Sequence, residues 1–385
     1  TDSVSFNYQS NAAFDDGSCQ FIKKDVSGGT GHLHQPIAPI TFTESLSTIS
    51  SGTWSSGVTN TSSSIASGAH NYGTDIAMWP NGDIAIVSTR LQSSNRVLHL
   101  SLQSGGFWAH STLDNSSNQM GLHPSVDIDA NGALHIAYLD NTNNKLRYAT
   151  NASGSWVFAT LDDARNSATD GVATDLAIDS AGHIHIIHPI QVSSSNWGLN
   201  YTSNKGGSWN SYTVTDTTKD DGMWASMALD GNDAVHISTY RDSGGSDVVY
   251  YTDSTGSWTN ETVETANNVG KYSAIAINSK DEVAITYVKA DNNNNIRIAV
   301  GNSGSWAKSN VANNRKASHL SIGIDSNDDI HITSHHSQDR RLEYFTNSSG
   351  SWVRTRVGSG LDGRFPSMVI DGNDDIYISH SDNVN

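Results

Sequence analysis

A tryptophan returns along this chain at Trp54, Trp108, Trp156, Trp209, Trp258, Trp306 and Trp352, at intervals of 54, 48, 53, 49, 48 and 46 residues. A near-constant period of that length marks repeated supersecondary units, each too thin to bury both faces alone. The unit from Pro124 to Leu161 reads PSVDIDANGALHIAYLDNTNNKLRYATNASGSWVFATL. Apolar and polar residues alternate in SVDID, ALHIAYL, KLRYAT and SWVFATL, which is the period-two pattern of half-buried strands, and Asn, Asp and Gly supply the turns between them. The same order recurs from Thr174, Ala225, Ser273 and Leu320, and less cleanly from Gly73. Four strands in about 40–50 residues make a β-propeller blade.

The chain ends predict the blade count. From Pro366 only two strands follow, whereas Ile40–Leu46 and Gly52–Thr59 supply only a third and a fourth. Together they would make one blade, so the expectation is an all-β, seven-bladed propeller over residues 38–385, its last blade closed by both ends of the chain. Such closure removes the free sheet edges that template aggregation. Residues 25–37, with VSGGTGHLHQP, read as a linker, and residues 1–24 as a separate module or arm.

Composition narrows the function classes. With 22 Lys and Arg against 39 Asp and Glu the net charge is −17, which argues against nucleic acid as a partner. One cysteine, Cys19, excludes an internal disulfide framework and a Cys-rich zinc module. No apolar run approaches the ~18–20 residues of a membrane-spanning helix, so no membrane insertion is expected.

The IHI segment followed by YATN-SGSW resembles tandem repeats of secreted bacterial and archaeal β-propeller proteins, broadly related to sialidase-type and polysaccharide-lyase propellers. The resemblance runs from Gly73 to the C-terminus and implies the fold rather than an activity. Sialidase-type propellers carry an Asp-box in this turn, with Asp five residues and Gly three residues before Trp. Here Gly154 and Gly256 precede Trp156 and Trp258 by two, and only Asp253 keeps the earlier place. The N-terminal stretch is similar to a DDGSC module of large secreted proteins from marine microbes, matched by Thr1, Asp2, Asn7, Tyr8, Asp15, Asp16, Gly17, Ser18 and Cys19. The partner cysteine of that module would precede Thr1, which implies that the chain is a piece of a longer polypeptide.

Regularity argues for packing. The repeating Trp reads as a packing staple, and His135, His185, His236 and His331, each second in its second strand, as inter-blade filling with hydrogen-bonded rings. The Asp-x-Asn-Gly/Asp runs (129–132, 230–233, 325–328, 371–374) resemble fragments of calcium loops but sit where tight turns are required. A structural calcium is therefore only a minor expectation, and no other cofactor or metal is expected.

Ligand chemistry belongs where repeat symmetry breaks. Inter-blade loops and the loops between second and third strands share one face, around the channel mouth. Tyr72, His123, Trp224, Tyr272, His319 and Phe365 enter first strands there, with Arg364 beside the last. Arg90, Tyr138, His188, Tyr240, Arg241, Tyr287, Lys289, His335, His336 and His380 leave second strands, and Trp197 follows in the longest such loop. Aromatic faces with a few cations suit a glycan, because rings stack on sugar C–H faces while Arg, Lys and His meet hydroxyls, carboxylates or sulfates. Of the five glutamates, Glu282 is expected in a turn on the opposite face and Glu44, Glu261, Glu264 and Glu343 on outer strands, which disfavours a two-carboxylate glycosidase. A lyase needs only a base, an acid and charge stabilisation, for which His188, Tyr240, Arg241 and His336 are the candidates.

Three functions follow in order. The first is a secreted or surface-displayed, lectin-like recognition propeller that binds glycans or another extracellular protein, as in adhesion. The second is a polysaccharide lyase. The third is a structural subunit, a homo-oligomer joined through the N-terminal arm.

Overall fold

The computed structural model describes residues 44–50, 53–58 and 73–381, except 106, 165–170, 194–195, 243–244, 266–267, 291–293 and 358–362. The N-terminal module, the linker and Tyr72 lie outside the described residues.

The chain is an all-β propeller. Six four-stranded blades form from consecutive strands: residues 74–114, 122–163, 175–213, 221–264, 269–312 and 317–357, here blades 1 to 6. Every neighbouring pair is antiparallel. In blade 2 the strands are Leu122–Ile128, Leu134–Asp140, Lys145–Thr150 and Val157–Asp163, close to the alternation in the sequence. A further four-stranded sheet joins the chain ends. Arg364–Ile370 and Ile376–Ser381 pair with each other, and Ile376–Ser381 then pairs with Glu44–Ser50, which pairs with Thr53–Val58.

Hydrophobic cores lie between blades rather than within them. Leu98 and Leu100 of blade 1 share a cluster with Ile136 and Tyr138 of blade 2, and Ile76 and Ile86 of blade 1 pack with Val369 and Tyr377 of the sheet that joins the chain ends. The recurring histidines sit in these gaps. The rings of His135, His185, His236 and His331 meet the hydroxyls of Tyr148, Tyr201, Tyr250 and Tyr344 through Nδ1 at 2.5, 2.5, 2.5 and 2.6 Å. Their Nε2 atoms lie 3.2–3.3 Å from Asp129, Asp179, Asp230 and Asp325. Three of these tyrosines take the next blade's tryptophan edge-on: Tyr148 with Trp209, Tyr201 with Trp258 and Tyr250 with Trp306, at 5.1–5.3 Å. The repeating tryptophan is thus a staple between blades.

The Asp-x-Asn-Gly/Asp runs are hairpin turns. Asp230 Oδ1 accepts the N–H groups of Asn232 and Ala234, both at 2.9 Å, and Asp129, Asp325 and Asp371 repeat the arrangement. The left-handed position of this turn takes Gly in blades 1 to 3 but Asp233, Asp281, Asp328 and Asp374 further on, at φ of 59–64°. An aspartate is tolerated there, and its carboxylate reaches the preceding blade's turn. Asp233 accepts from Ser180 N at 2.8 Å, Asp281 from Gly231 N at 3.0 Å, Asp328 from Ser279 N at 3.1 Å and Asp374 from Ser326 N at 2.9 Å. These aspartates link successive blades on the face opposite the expected ligand site.

Candidate functional site: an aromatic arc at the channel mouth

The first strands surround a central cavity of about 380 Å³. Ladder register sets its layers, since Ser125, Asp175, Ser226, Ala274, Ser321, Ser367 and Asp75 pair with equivalent second-strand residues. Two positions earlier in each strand stand His123, Ala173, Trp224, Tyr272, His319, Phe365 and Gly73, all lining the cavity. This is the mouth ring. Its aromatic members are those expected from the sequence.

The backbone that presents them is unusual. His123, Trp224, Tyr272, His319 and Phe365 have φ of 47, 46, 56, 50 and 48°, a left-handed conformation costing bulky residues roughly 1–3 kcal/mol each. Each lies at a register shift where its first strand meets the second. Such bulges re-aim side chains and gather next to functional sites. The conformation is held from the neighbouring blade. The hydroxyls of Thr174, Ser273 and Thr74 donate to the carbonyls of His123, Trp224 and Phe365, the last two at 2.6 and 2.9 Å. Trp224 N–H donates to Gly171 O at 2.7 Å. A Cβ on Gly171 would lie 3.1 Å from the Trp224 ring and 2.6 Å from Met223 Cε.

Four rings form one continuous arc. Trp224 and Tyr272 are 5.1 Å apart by centroid, Tyr272 and His319 4.9 Å, and His319 and Phe365 4.2 Å, all tilted or edge-on. Tyr240 backs Trp224 at 5.2 Å, and His335 lies 6.0 Å from His319. The Lys271 ammonium sits over Trp224 and Tyr240, at 5.5 and 5.7 Å. Lys271 was missed in the sequence, although it precedes Tyr272 as Arg364 precedes Phe365. On the other side of the ring Gly73 and Ala173 flank His123 and leave room. Below them Asp75 and Asp175 line the wall: burial raises the Asp75 carboxyl and pushes Asp175 to about 7. Asp75 still accepts hydrogen bonds from Ser125, Val126 and Ser367, and so bridges three first strands.

The remaining expected site residues are placed differently. Tyr138, His188, Tyr240, Arg241, Tyr287, His335, His336 and His380 are all buried, so none of them offers a free face to a ligand. Three of them bind acids from the preceding blade's outer strand. Tyr138 donates to Asp114 at 2.6 Å, with Arg147 3.6 Å from the same carboxylate. His188 Nε2 lies 3.2 Å from Asp162, which also accepts from Asn200. Tyr287 donates to Glu264, which Arg297 grips through Nε at 3.2 Å and through a second nitrogen at 3.1 Å. Within blade 4, Arg241 pairs with Asp221 at 2.7 and 2.9 Å, and Tyr240 donates to Asp242 at 2.6 Å. His335 meets Ser318 at 3.0 Å, and the His336 ring accepts from Asp339 N at 3.1 Å. The lyase quartet of His188, Tyr240, Arg241 and His336 is thus divided among three blades and engaged in structural pairs. Arg90, Lys289 and Arg364 are half-buried, as is Trp197, which packs on the cluster between blades 2 and 3. Glu343 and Glu44 lie on third strands rather than outer ones.

Among the described residues no group of three His, Cys, Asp or Glu is arranged to hold a metal ion, and no helix is long and apolar enough to cross a membrane.

No family model matches the chain, and no curated protein matches it in sequence. Solved structures match its fold. The polysaccharide lyase Uly1 aligns over 85% of this chain and 92% of its own, at 10% identity and a TM-score of 0.54. A PL25 ulvan lyase bound to -[GlcA(1-4)Rha3S]- aligns over 77% and 81%, at 11% identity and 0.51. A Dyadobacter fermentans protein of unknown function aligns over 81% and 95%, at 11% identity and 0.50. At these identities the likeness is one of fold alone: the chain is a β-propeller.

Proposed function

We propose that the protein is an extracellular or cell-surface propeller that recognises a glycan at its channel mouth. The observation that carries this reading is the arc Trp224–Tyr272–His319–Phe365, held in a strained backbone conformation that packing alone does not require. Aromatic faces beside a lysine and below-lying hydroxyl and carboxyl groups match the amphipathic surface of a sugar. The saccharide bound in the PL25 neighbour supports a carbohydrate for this fold. A glycan array followed by titration calorimetry tests the reading: wild type binds at least one glycan class, and Trp224→Ala abolishes that binding. Binding to no glycan, with tight capture of an extracellular protein instead, overturns it.

A second reading, polysaccharide lyase, is favoured by Tyr272 and His319 standing side by side in the mouth with Lys271 adjacent. Incubation with uronate polymers would then yield an unsaturated product absorbing in the ultraviolet. Silence across ulvan-, alginate- and glycosaminoglycan-type polymers removes that reading.

We further read the sheet shared by the two chain ends as the seventh blade of a closed ring. Phe365 at the mouth-ring position and Val369 and Tyr377 packed against blade 1 support this. Deleting residues 44–58 should expose an edge at Ile376–Ser381 and increase aggregation relative to the undeleted chain in light scattering; an unchanged particle size would argue against closure.

A further inference from the structure

The junction of blades 5 and 6 departs from the other polar junctions in its charge balance. Between blades 1 and 2 one acid, Asp114, meets one arginine, Arg147, and between blades 4 and 5 Glu264 meets Arg297. Blade 5 has Ala312 at the place of Glu264, and the acid is Glu343 on blade 6 itself. Three guanidinium groups converge on it: Arg354 at 2.9 Å, Arg341 at 3.0 Å and Arg315 at 3.7 Å, all on Oε1. Oε2 is buried and has no hydrogen-bond partner. Asp339 takes the far side of Arg341, and Arg356 faces Glu343 across the ladder with an exposed side chain. Four guanidinium charges therefore face two carboxylates. A carboxylate that neutralises one arginine elsewhere in the fold is shared here among three.

An uncompensated guanidinium excess in a chain of net charge −17 is a local site for anions, because the planar fork of arginine matches carboxylate and sulfate oxygens. Arg315 belongs to the connection between blades 5 and 6, on the mouth face, two residues before the strand that carries His319. We infer that this junction binds the carboxylate or sulfate groups of an anionic polysaccharide whose sugar rings lie on the aromatic arc. The inference rests on the glycan reading above and specifies the class: uronate-bearing or sulfated chains, running from the mouth outward over blade 6. Arg354 and Arg356 on the outer strand make the distal contacts.

The test compares wild type with Arg354→Gln/Arg356→Gln on an array holding neutral, uronate-bearing and sulfated glycans, followed by titrations with the best binder at about 50 and 200 mM salt. Both arginines are exposed on an edge strand, so the variant keeps its fold, which circular dichroism verifies. Wild type should prefer anionic glycans, and the double variant should bind about ten-fold or more weakly with a shallower salt dependence. Anionic glycans bound equally by the two proteins, or neutral glycans preferred by wild type, overturn the inference while glycan recognition stands. Binding to no glycan at all overturns both.

Discussion

Glu264 offers a direct measure of what the buried polar junctions contribute. Its carboxylate is almost fully buried between blades 4 and 5, where it receives the Tyr287 hydroxyl and two guanidinium nitrogens of Arg297. Tyr287 is itself wholly buried, and burial together with this acid raises its hydroxyl far above the ordinary tyrosine range. Glu264→Ala leaves a phenol without an acceptor and a largely buried cation without a counter-charge. Breaking one side of such a pair costs about 3–5 kcal/mol. Glu264→Gln keeps an acceptor but removes the charge, and should cost about half as much. The triple substitution Glu264→Leu, Tyr287→Phe, Arg297→Met removes all three polar groups at similar volume and should recover most of the loss, since replacing a whole buried network by apolar groups is often neutral or stabilising. The molecule already contains an apolar counterpart: between blades 3 and 4 the register-equivalent of Arg297 is Val249, packed with Val214. Urea unfolding followed by tryptophan fluorescence reads all four proteins. A loss below about 1 kcal/mol for Glu264→Ala, or a triple variant no more stable than Glu264→Ala, would refute this account.

Three further outcomes follow from other parts of the structure. Gly171→Ala places a methyl against Met223 and the Trp224 ring at a residue with φ of 109°, so glycan binding should weaken with little change in secondary structure; unchanged affinity would show that Trp224 is not set by that contact. Tyr250→Phe removes the hydroxyl paired with buried His236 and should cost about 1–2 kcal/mol in urea unfolding, whereas no loss would mean that water replaces it. Asp175 titrates near 7 when folded and near 3.8 when unfolded, so the folded chain holds its proton more tightly between those values. Its contribution to stability therefore falls as pH rises through that window, by up to about 1.4 kcal/mol per unit. Asp175→Asn should flatten the stability profile between pH 4 and 7 relative to wild type, and parallel profiles would contradict the shift.

The blade architecture was legible because burial in a propeller repeats: the His–Tyr pair formed by His236 and Tyr250 recurs with His135, His185 and His331 in three other blades, and a four-strand period betrays it. The mouth ring was legible in identity but not in conformation. A sequence cue existed, since Gly121, Gly222, Gly270 and Gly363 each stand two residues before a ring aromatic. A Cβ on Gly222 would come within 3.0 Å of Leu199 on the preceding blade, and the other three glycines meet their preceding blades as closely. The misplaced residues share one cause. Tyr138, His188 and Tyr287 break repeat symmetry, which suggested a ligand, but the partner that breaks it with them is a protein acid. Asp114 precedes Tyr138 by 24 residues and Glu264 precedes Tyr287 by 23, so the compensating change lay one blade upstream in the same sequence.

The strain at the mouth has a consequence that separates function from packing. If the ring existed only to fill the channel, Gly73 shows the cheaper solution: a residue that takes positive φ without penalty. Five aromatic or imidazole side chains stand at that conformation instead, each at a cost of about 1 kcal/mol or more, against a net stability of about 5–15 kcal/mol for a typical domain. Truncating a well-packed tyrosine usually costs about 3–5 kcal/mol. For Tyr272→Gly, relief of the backbone by roughly 1–3 kcal/mol should offset much of the lost contact with Trp224 and His319, so the net loss should be only about 1–2 kcal/mol for this half-buried ring while glycan affinity falls by ten-fold or more. Urea unfolding and calorimetry on the same protein decide the matter. A loss of several kcal/mol with affinity intact would make the ring a packing device and remove the reason for placing a ligand there.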